Sequence, residues 1–363
     1  MLIKAIRPNG KPNTRVITLI VMFLVAVWVY ALFYPALNWP DEAYKVARVG
    51  QDPNPYLQLL SWLTVDYCYL TYEHDLQAGY VSNTLHMHLT NGHSCYYMLK
   101  IANTGLACII FLTCMFALKT REKRELFGMS LIWPAAVFYM TGINQQVVFS
   151  IVSPAIVIGV IYSSKVWPYI LASLLLTAID RSFVALFTFL AMLSVFRSSP
   201  RLAFLMFVLL IIAGKVILSY IGGLSLFLGG QQSLNELKSS LSYLSDSPLL
   251  SLMFFFISFV YLGGTNSILG IGLDYAIVFF ALVALLWNNR SNSQMVPYLV
   301  SFLATFFIVI NFVPTLQSFR YYVFIMPAII HFLAYKRINK DLYVGYCSVM
   351  LLVYIFQVSL INA

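Results

Sequence analysis

The chain has 363 residues, of which 61% are hydrophobic, 16% aromatic and only 10% charged. Soluble domains carry roughly 25% charged residues, so the composition excludes an ordinary soluble enzyme and predicts an integral membrane protein. Apolar runs of about 20 residues without period-two alternation exclude a barrel and predict helical spans. The net charge of +9 does not point to nucleic acid, because most Lys and Arg fall in short segments between spans, as the positive-inside rule requires.

Residues 1–15 carry Lys4, Arg7, Lys11 and Arg15 and precede an apolar run over 16–37. That run is too long for a signal h-region and lacks a small-residue cleavage site. It is read as a permanent first span with residues 1–15 cytoplasmic. The polar stretch 38–100 is then extracytoplasmic. Within it PYLQLLSWL (55–63) is apolar but too short to cross a bilayer, which predicts an interfacial helix. A second span over 101–118 returns to KTREKRE (119–125), whose four cations fix the inner side.

Spans three and four (126–140 and 147–163) flank an outer turn, TGINQQ. Lys165 marks the next inner turn. Spans five and six (166–179 and 182–196) meet at Asp180-Arg181 on the outer side, and Arg197 and Arg201 bring the chain back. Span seven (202–220) carries Lys215 near its outer end. In 231–247, Ser233 and Glu236 form a capping box. Leu234, Leu237, Leu241 and Leu244 share one face, which predicts an amphipathic helix on the outer surface.

Residues 249–287 allow two readings. Two spans hinged at GGTNS would put KRINK (336–340) outside, against the charge rule. A re-entrant 249–262 followed by one span restores that rule. The second reading gives an all-α polytopic protein with about eleven transmembrane helices (range about 10–13). It forms a single membrane domain over 1–363 with an outer carboxyl terminus.

The acids Asp41 and Glu42, in NWPDEAYK (38–45), stand just beyond span one. A solvated loop acid, or a Glu opening a helix after Pro40, accounts for them without chemistry. A carboxylate at a membrane face can also take a proton from an acceptor hydroxyl while a lipid-phosphate leaving group departs. Such a reaction needs cations to hold the phosphate. The outer minority supplies them: Arg181, Lys215 and Arg320, with Lys45 and Arg48 in the first loop. Lys215 fits snorkelling as well as binding, and Arg181 fits pairing with Asp180. Arg320 breaks the inside rule and has the planar fork suited to phosphate. Tyr44, Tyr321, His86 and His88 complete the candidate substrate contacts.

A Pro-Asp-Glu stretch in a long first outer loop, together with RYYVFIMP (320–327), resembles the GT-C superfamily of membrane glycosyltransferases. The resemblance covers the layout of roughly the first 250 residues and two short motifs. It implies a polyprenyl-phosphate-linked sugar donor, a glycan or lipid-linked acceptor, and transfer with inversion on the outer face of a bacterial inner membrane. It also implies interfacial helices in the first loop and a base at Asp41, with Glu42 beside it. This chain lacks the large soluble carboxyl-terminal domain of some members, and it lacks a second acidic pair.

His74, His86, His88 and His93 show no metal-ligand spacing, so no metal site is assigned. A divalent cation stays open as a cofactor through the resemblance. Cys68 and Cys95 share the outer loop, and a disulfide between them is expected there. Cys108, Cys114 and Cys347 are read as small core residues. An O-antigen or capsule polymerase would use the same donor class but carries its main outer loops later in the chain. A flippase or transporter predicts internal repeats and polar midplane residues; only Lys215 and Asp274 are of that kind.

Overall fold

The computed structural model describes residues 14–33, 54–64, 92–133, 137, 146–180, 182–198, 205, 295–312, 323–335 and 340–361. Most of these residues are helical, with no strand among them. By contact they form two compact units, one of residues 1–155 and 339–363, the other of 156–338.

The first unit contains α1 (Thr14–Phe33), α2 (Pro55–Leu63), α3 (Gly92–Ala117), α4 (Arg121–Leu131), the start of α5 (Gln146–Ile161) and α10 (Lys340–Ile361). Helix α2 starts where the sequence places it. Asn54 caps it, its side chain accepting from Tyr56 N at 3.0 Å and Leu57 N at 3.4 Å. Pro55 at the first position needs no partner for a missing N–H.

Two starts differ from the sequence expectation. Helix α3 begins at Gly92, inside the stretch read as loop, so Lys100 is helical. Residues 121–125 open α4 rather than forming a turn. Thr120 caps them by accepting from Lys123 N at 3.4 Å, and Glu122 suits the helix dipole in the first turn.

Helix α1 packs chiefly on α4, and also on α3 and α10. Phe111 of α3 stacks on Phe23 of α1 at 4.0 Å and on Phe127 of α4 at 5.6 Å between ring centroids. Leu19 lies so close to Gly128 that a methyl there would come within 3.0 Å of its Cβ.

The second unit contains the rest of α5 with α6 (Trp167–Leu176), α7 (Phe183–Ser198), α8 (Val296–Phe312) and α9 (Met326–Tyr335). Its main contacts are α7 on α8 and α6 on α7. Asp180 is buried and its Oδ1 accepts from Ser182 N at 2.8 Å, turning the chain into α7. At the other end of α7, Arg197 donates to Val160 O at 3.2 Å and Ser163 O at 3.4 Å and meets the Tyr298 hydroxyl. A cation on carbonyls just past a helix C-terminus is favourable by both hydrogen bonding and dipole.

Several helices expose apolar stripes. On α1 they are Ile17, Val21, Val25 and Leu32; on α6, Trp167, Leu171, Leu174 and Leu175. Hydroxyls inside apolar helices turn back on their own carbonyls, as Thr113 does to Ile109 O, Thr188 to Val184 O and Ser348 to Val344 O, each at 2.8 Å. That pattern satisfies polar groups without water. By length and composition one described helix, Tyr97–Ala117 of 21 residues, can cross a membrane; the other apolar helices are shorter.

Candidate functional site

The candidate site lies at the amino-terminal part of α3, under α2. Lys100, Asn103 and Thr104 stand at i, i+3 and i+4 and so share one face of α3. All three are buried, with Lys100 only 1% exposed. Helix α2 packs on α3 and turns Tyr56, Leu57 and Leu60 inward. The Tyr56 hydroxyl donates to Asn103 Oδ1 at 2.6 Å in a buried bond across 47 residues. Burial pushes the Tyr56 phenol well above its ordinary range, so it stays a proton donor at any working pH.

The opposite face of α2 is mostly apolar, with Gln58 as its exposed polar residue. Leu59, Trp62 and Leu63 are exposed there, Trp62 by 72%. A nine-residue helix with a buried face and a mostly apolar exposed one is suited to lie between protein and lipid headgroups. Beside the site, Tyr97 and Ile101 of α3 are also exposed.

The other end of α3 leads into a second charged cluster. From Lys100 to Ala117 the helix rises about 25 Å at 1.5 Å per residue. Beyond it, buried Glu125 of α4 accepts from Arg121 Nε at 2.8 Å and lies 3.6 Å from Lys340 and 4.0 Å from Arg15. Arg15 also donates to Asp341 at 3.0 Å. Segments at residues 15, 121–125 and 340–341, all read as cytoplasmic from their charge, therefore meet in one ion-pair cluster.

The residues singled out from sequence for chemistry fall outside this description. Asp41, Glu42, Tyr44, Lys45, Arg48, Cys68, His74, His86, His88, Arg181, Lys215, Asp274, Arg320 and Tyr321 lie outside the described residues, as does 231–247. The backbone at His93 and Cys95 belongs to the first turns of α3. Cys108, Cys114 and Cys347 are in no disulfide. No group of three or more His, Cys, Asp or Glu able to hold a metal occurs among the described residues.

Sequence reading missed Lys100, Asn103 and Thr104. Their i, i+3, i+4 spacing is visible in LKIANTGL, but Lys100 reads as the last residue of a loop until α3 is seen to begin at Gly92. No protein-family model, curated protein or solved structure matches the chain.

Proposed function

We propose that the chain is a polytopic membrane glycosyltransferase of the GT-C kind, with about eleven spans. It moves a sugar from a polyprenyl-phosphate-linked donor to a glycan or lipid-linked acceptor on the outer face of a bacterial inner membrane. The observation that supports this best is α2. It is a short helix in the first long loop, bound to α3 by one face and mostly apolar on the other. That is the interfacial element such an enzyme needs to bring a lipid-borne donor to loop acids. The exposed apolar stripes of α1 and α6 support the membrane part of the reading, since soluble monomers rarely show contiguous patches of this sort.

In this mechanism Asp41 takes the proton from the acceptor hydroxyl as its oxygen bonds to the anomeric carbon. The bond from that carbon to the phosphate oxygen breaks, and the phosphate leaves with the electron pair. Arg320 holds the departing charge through its planar fork. Near a water-poor membrane face each of these interactions is stronger than in bulk water.

Asp41→Asn tests the assignment. Loss of a general base costs about 10²–10⁴-fold in rate, with membrane insertion and protein level unchanged. Arg320→Ala is expected to weaken donor binding instead, and Arg320→Lys to restore it only in part. Purified Asp41→Asn protein transferring sugar at the wild-type rate defeats the catalytic assignment.

A further inference from the structure

We infer that the joined amino-terminal ends of α1, α4 and α10 bind the headgroup of an anionic phospholipid, with Arg15, Arg121 and Lys340 as its cations. The inference rests on the membrane part of the proposed function and is independent of sugar transfer.

The three helices start at one place. Arg15 in the first turn of α1 donates to Asp341 in the first turn of α10 at 3.0 Å. Arg121 opens α4, and Glu125 one turn further on reaches Arg15 and Lys340. Three helix amino termini therefore meet, and each favours negative charge.

The side chains add to that bias. One carboxylate, Glu125, serves three cations and is itself only 7% exposed. Lys340 Nζ lies 3.6 Å from it, longer than a hydrogen bond. Arg121 reaches it through Nε, and the side chain of Arg121 stays 63% exposed. A guanidinium has five N–H donors, so this pairing leaves Arg121 able to hold a second anion. Over residues 15, 119–125 and 340–341, six cations stand against three acids. Every cation can keep its internal partner, and the cluster is still positive.

The surroundings argue for a lipid rather than a dissolved anion. Exposed apolar side chains begin within a turn of the cations on two of the helices. On α1 they are Ile17, Val21 and Val25, at four-residue spacing; on α10, Leu342 and Val349. These two helices pack on one another. From Arg15 to Val25 the helix rises about 15 Å, about half of a hydrocarbon core of roughly 30 Å. A headgroup on the cations therefore has apolar surface to the depth of one leaflet for its acyl chains. Basic clusters at the cytoplasmic ends of packed spans hold anionic headgroups for this reason. A zwitterionic headgroup gains no net attraction there.

The test uses the purified full chain in nonionic detergent. It is titrated with phosphatidylglycerol or with phosphatidylcholine of identical acyl chains, and bound lipid is counted by native mass spectrometry. The net charge predicts a preference for phosphatidylglycerol of about five- to thirtyfold at low salt, smaller at high salt. Arg121→Gln and Lys340→Gln are each expected to lower it several-fold. Asp341→Asn removes an exposed acid and is expected to raise it. Lys165→Gln, at an exposed cation of the α5–α6 turn, is expected to leave it unchanged. An equal fall in Lys165→Gln, or none in Arg121→Gln and Lys340→Gln, overturns the site in favour of general surface charge. A fall in Asp341→Asn overturns the charge argument. Displacement by glycerol phosphate at the lipid's own concentration assigns the cluster to a free anion and overturns the lipid. A chain released from membranes by alkaline carbonate overturns the membrane reading and the site together. A membrane-embedded chain without the preference overturns the site alone.

Discussion

Arg15 and Asp341 are 326 residues apart, and the guanidinium donates to the carboxylate at 3.0 Å. The bond joins the first turn of α1 to the first turn of α10, and Glu125 adds α4 to the same cluster. An ion-pair cluster cannot straddle a bilayer, because charges at its centre are expensive. Under the proposed membrane reading the three segments then belong on one side, with an even number of crossings between Arg15 and Lys340. In a background free of the five native cysteines, Glu122→Cys and Asn339→Cys should react with an impermeant maleimide only after the inner face is opened. Ser239→Cys should react in intact cells. Labelling of Asn339→Cys from outside contradicts the shared side.

The members of that cluster are expected to differ in weight. Glu125 is 7% exposed and faces three cations, whereas Asp341 is 69% exposed. Replacing a buried acid leaves its partners uncompensated, but Arg15, Arg121 and Lys340 are each a third or more exposed, so water screens most of the loss. Glu125→Gln should then cost about 1–3 kcal/mol. Asp341→Asn should cost under about 1 kcal/mol and become silent at high salt. Thermal unfolding of the two variants in low and high salt checks the order, and an equal loss in both refutes it.

Two glycines should respond to the same substitution with opposite signs. At Gly128 an added methyl meets Leu19 Cβ at 3.0 Å and Cδ1 at 3.1 Å, whereas at Gly105 it meets nothing within 4 Å. Alanine is better than glycine in a helix by up to about 1 kcal/mol, while overpacking costs about 1–3 kcal/mol. Gly105→Ala is expected to stabilise, and Gly128→Ala to destabilise through the α1–α4 contact. Adding Leu19→Gly to Gly128→Ala should cost less than Leu19→Gly alone, since removing the Leu19 Cβ and Cδ1 relieves the crowding. Additive losses argue that the close approach is not the cause.

Legibility from sequence followed the kind of signal each element carries. Helix α2 is visible as an apolar nonamer too short to cross a bilayer, and α1 and α5 are visible as apolar runs. The start of α3 was hidden because GHSCYY is polar, so hydropathy ended the span near Ile101 although the helix continues to Gly92. The start of α4 was hidden by its charges, which mark a cytoplasmic boundary equally well in a turn or in a capped first turn. The burial of Lys100 is a tertiary fact, which no window of sequence around residue 100 displays. The loop acids and Arg320 stand out in the sequence only by their position relative to the apolar runs and by the charge rule.

The bond between Tyr56 and Asn103 gives the last prediction, because it is a buried side-chain hydrogen bond that joins α2 to α3. Tyr56→Phe leaves the Asn103 oxygen buried without this donor, which costs about 1–3 kcal/mol. Replacing both partners with apolar groups of similar size costs less than the sum of the single changes. A cycle of Tyr56→Phe, Asn103→Leu and the double variant should therefore show a coupling of about 0.5–3 kcal/mol. The pH dependence has a fixed sign. Burial raises the Tyr56 phenol in the folded protein above the value of about 10 it has when unfolded. The folded state then holds the proton more tightly, so this contribution is complete below pH about 10 and declines as pH rises beyond it. The stability difference between wild type and Tyr56→Phe should be flat from neutral pH to about 9 and shrink above about 10. Measuring the difference rather than wild type alone removes the background of the other tyrosines. A difference that grows above pH 10, or a cycle without coupling, shows that α2 is held to α3 by its apolar contacts and not by this bond.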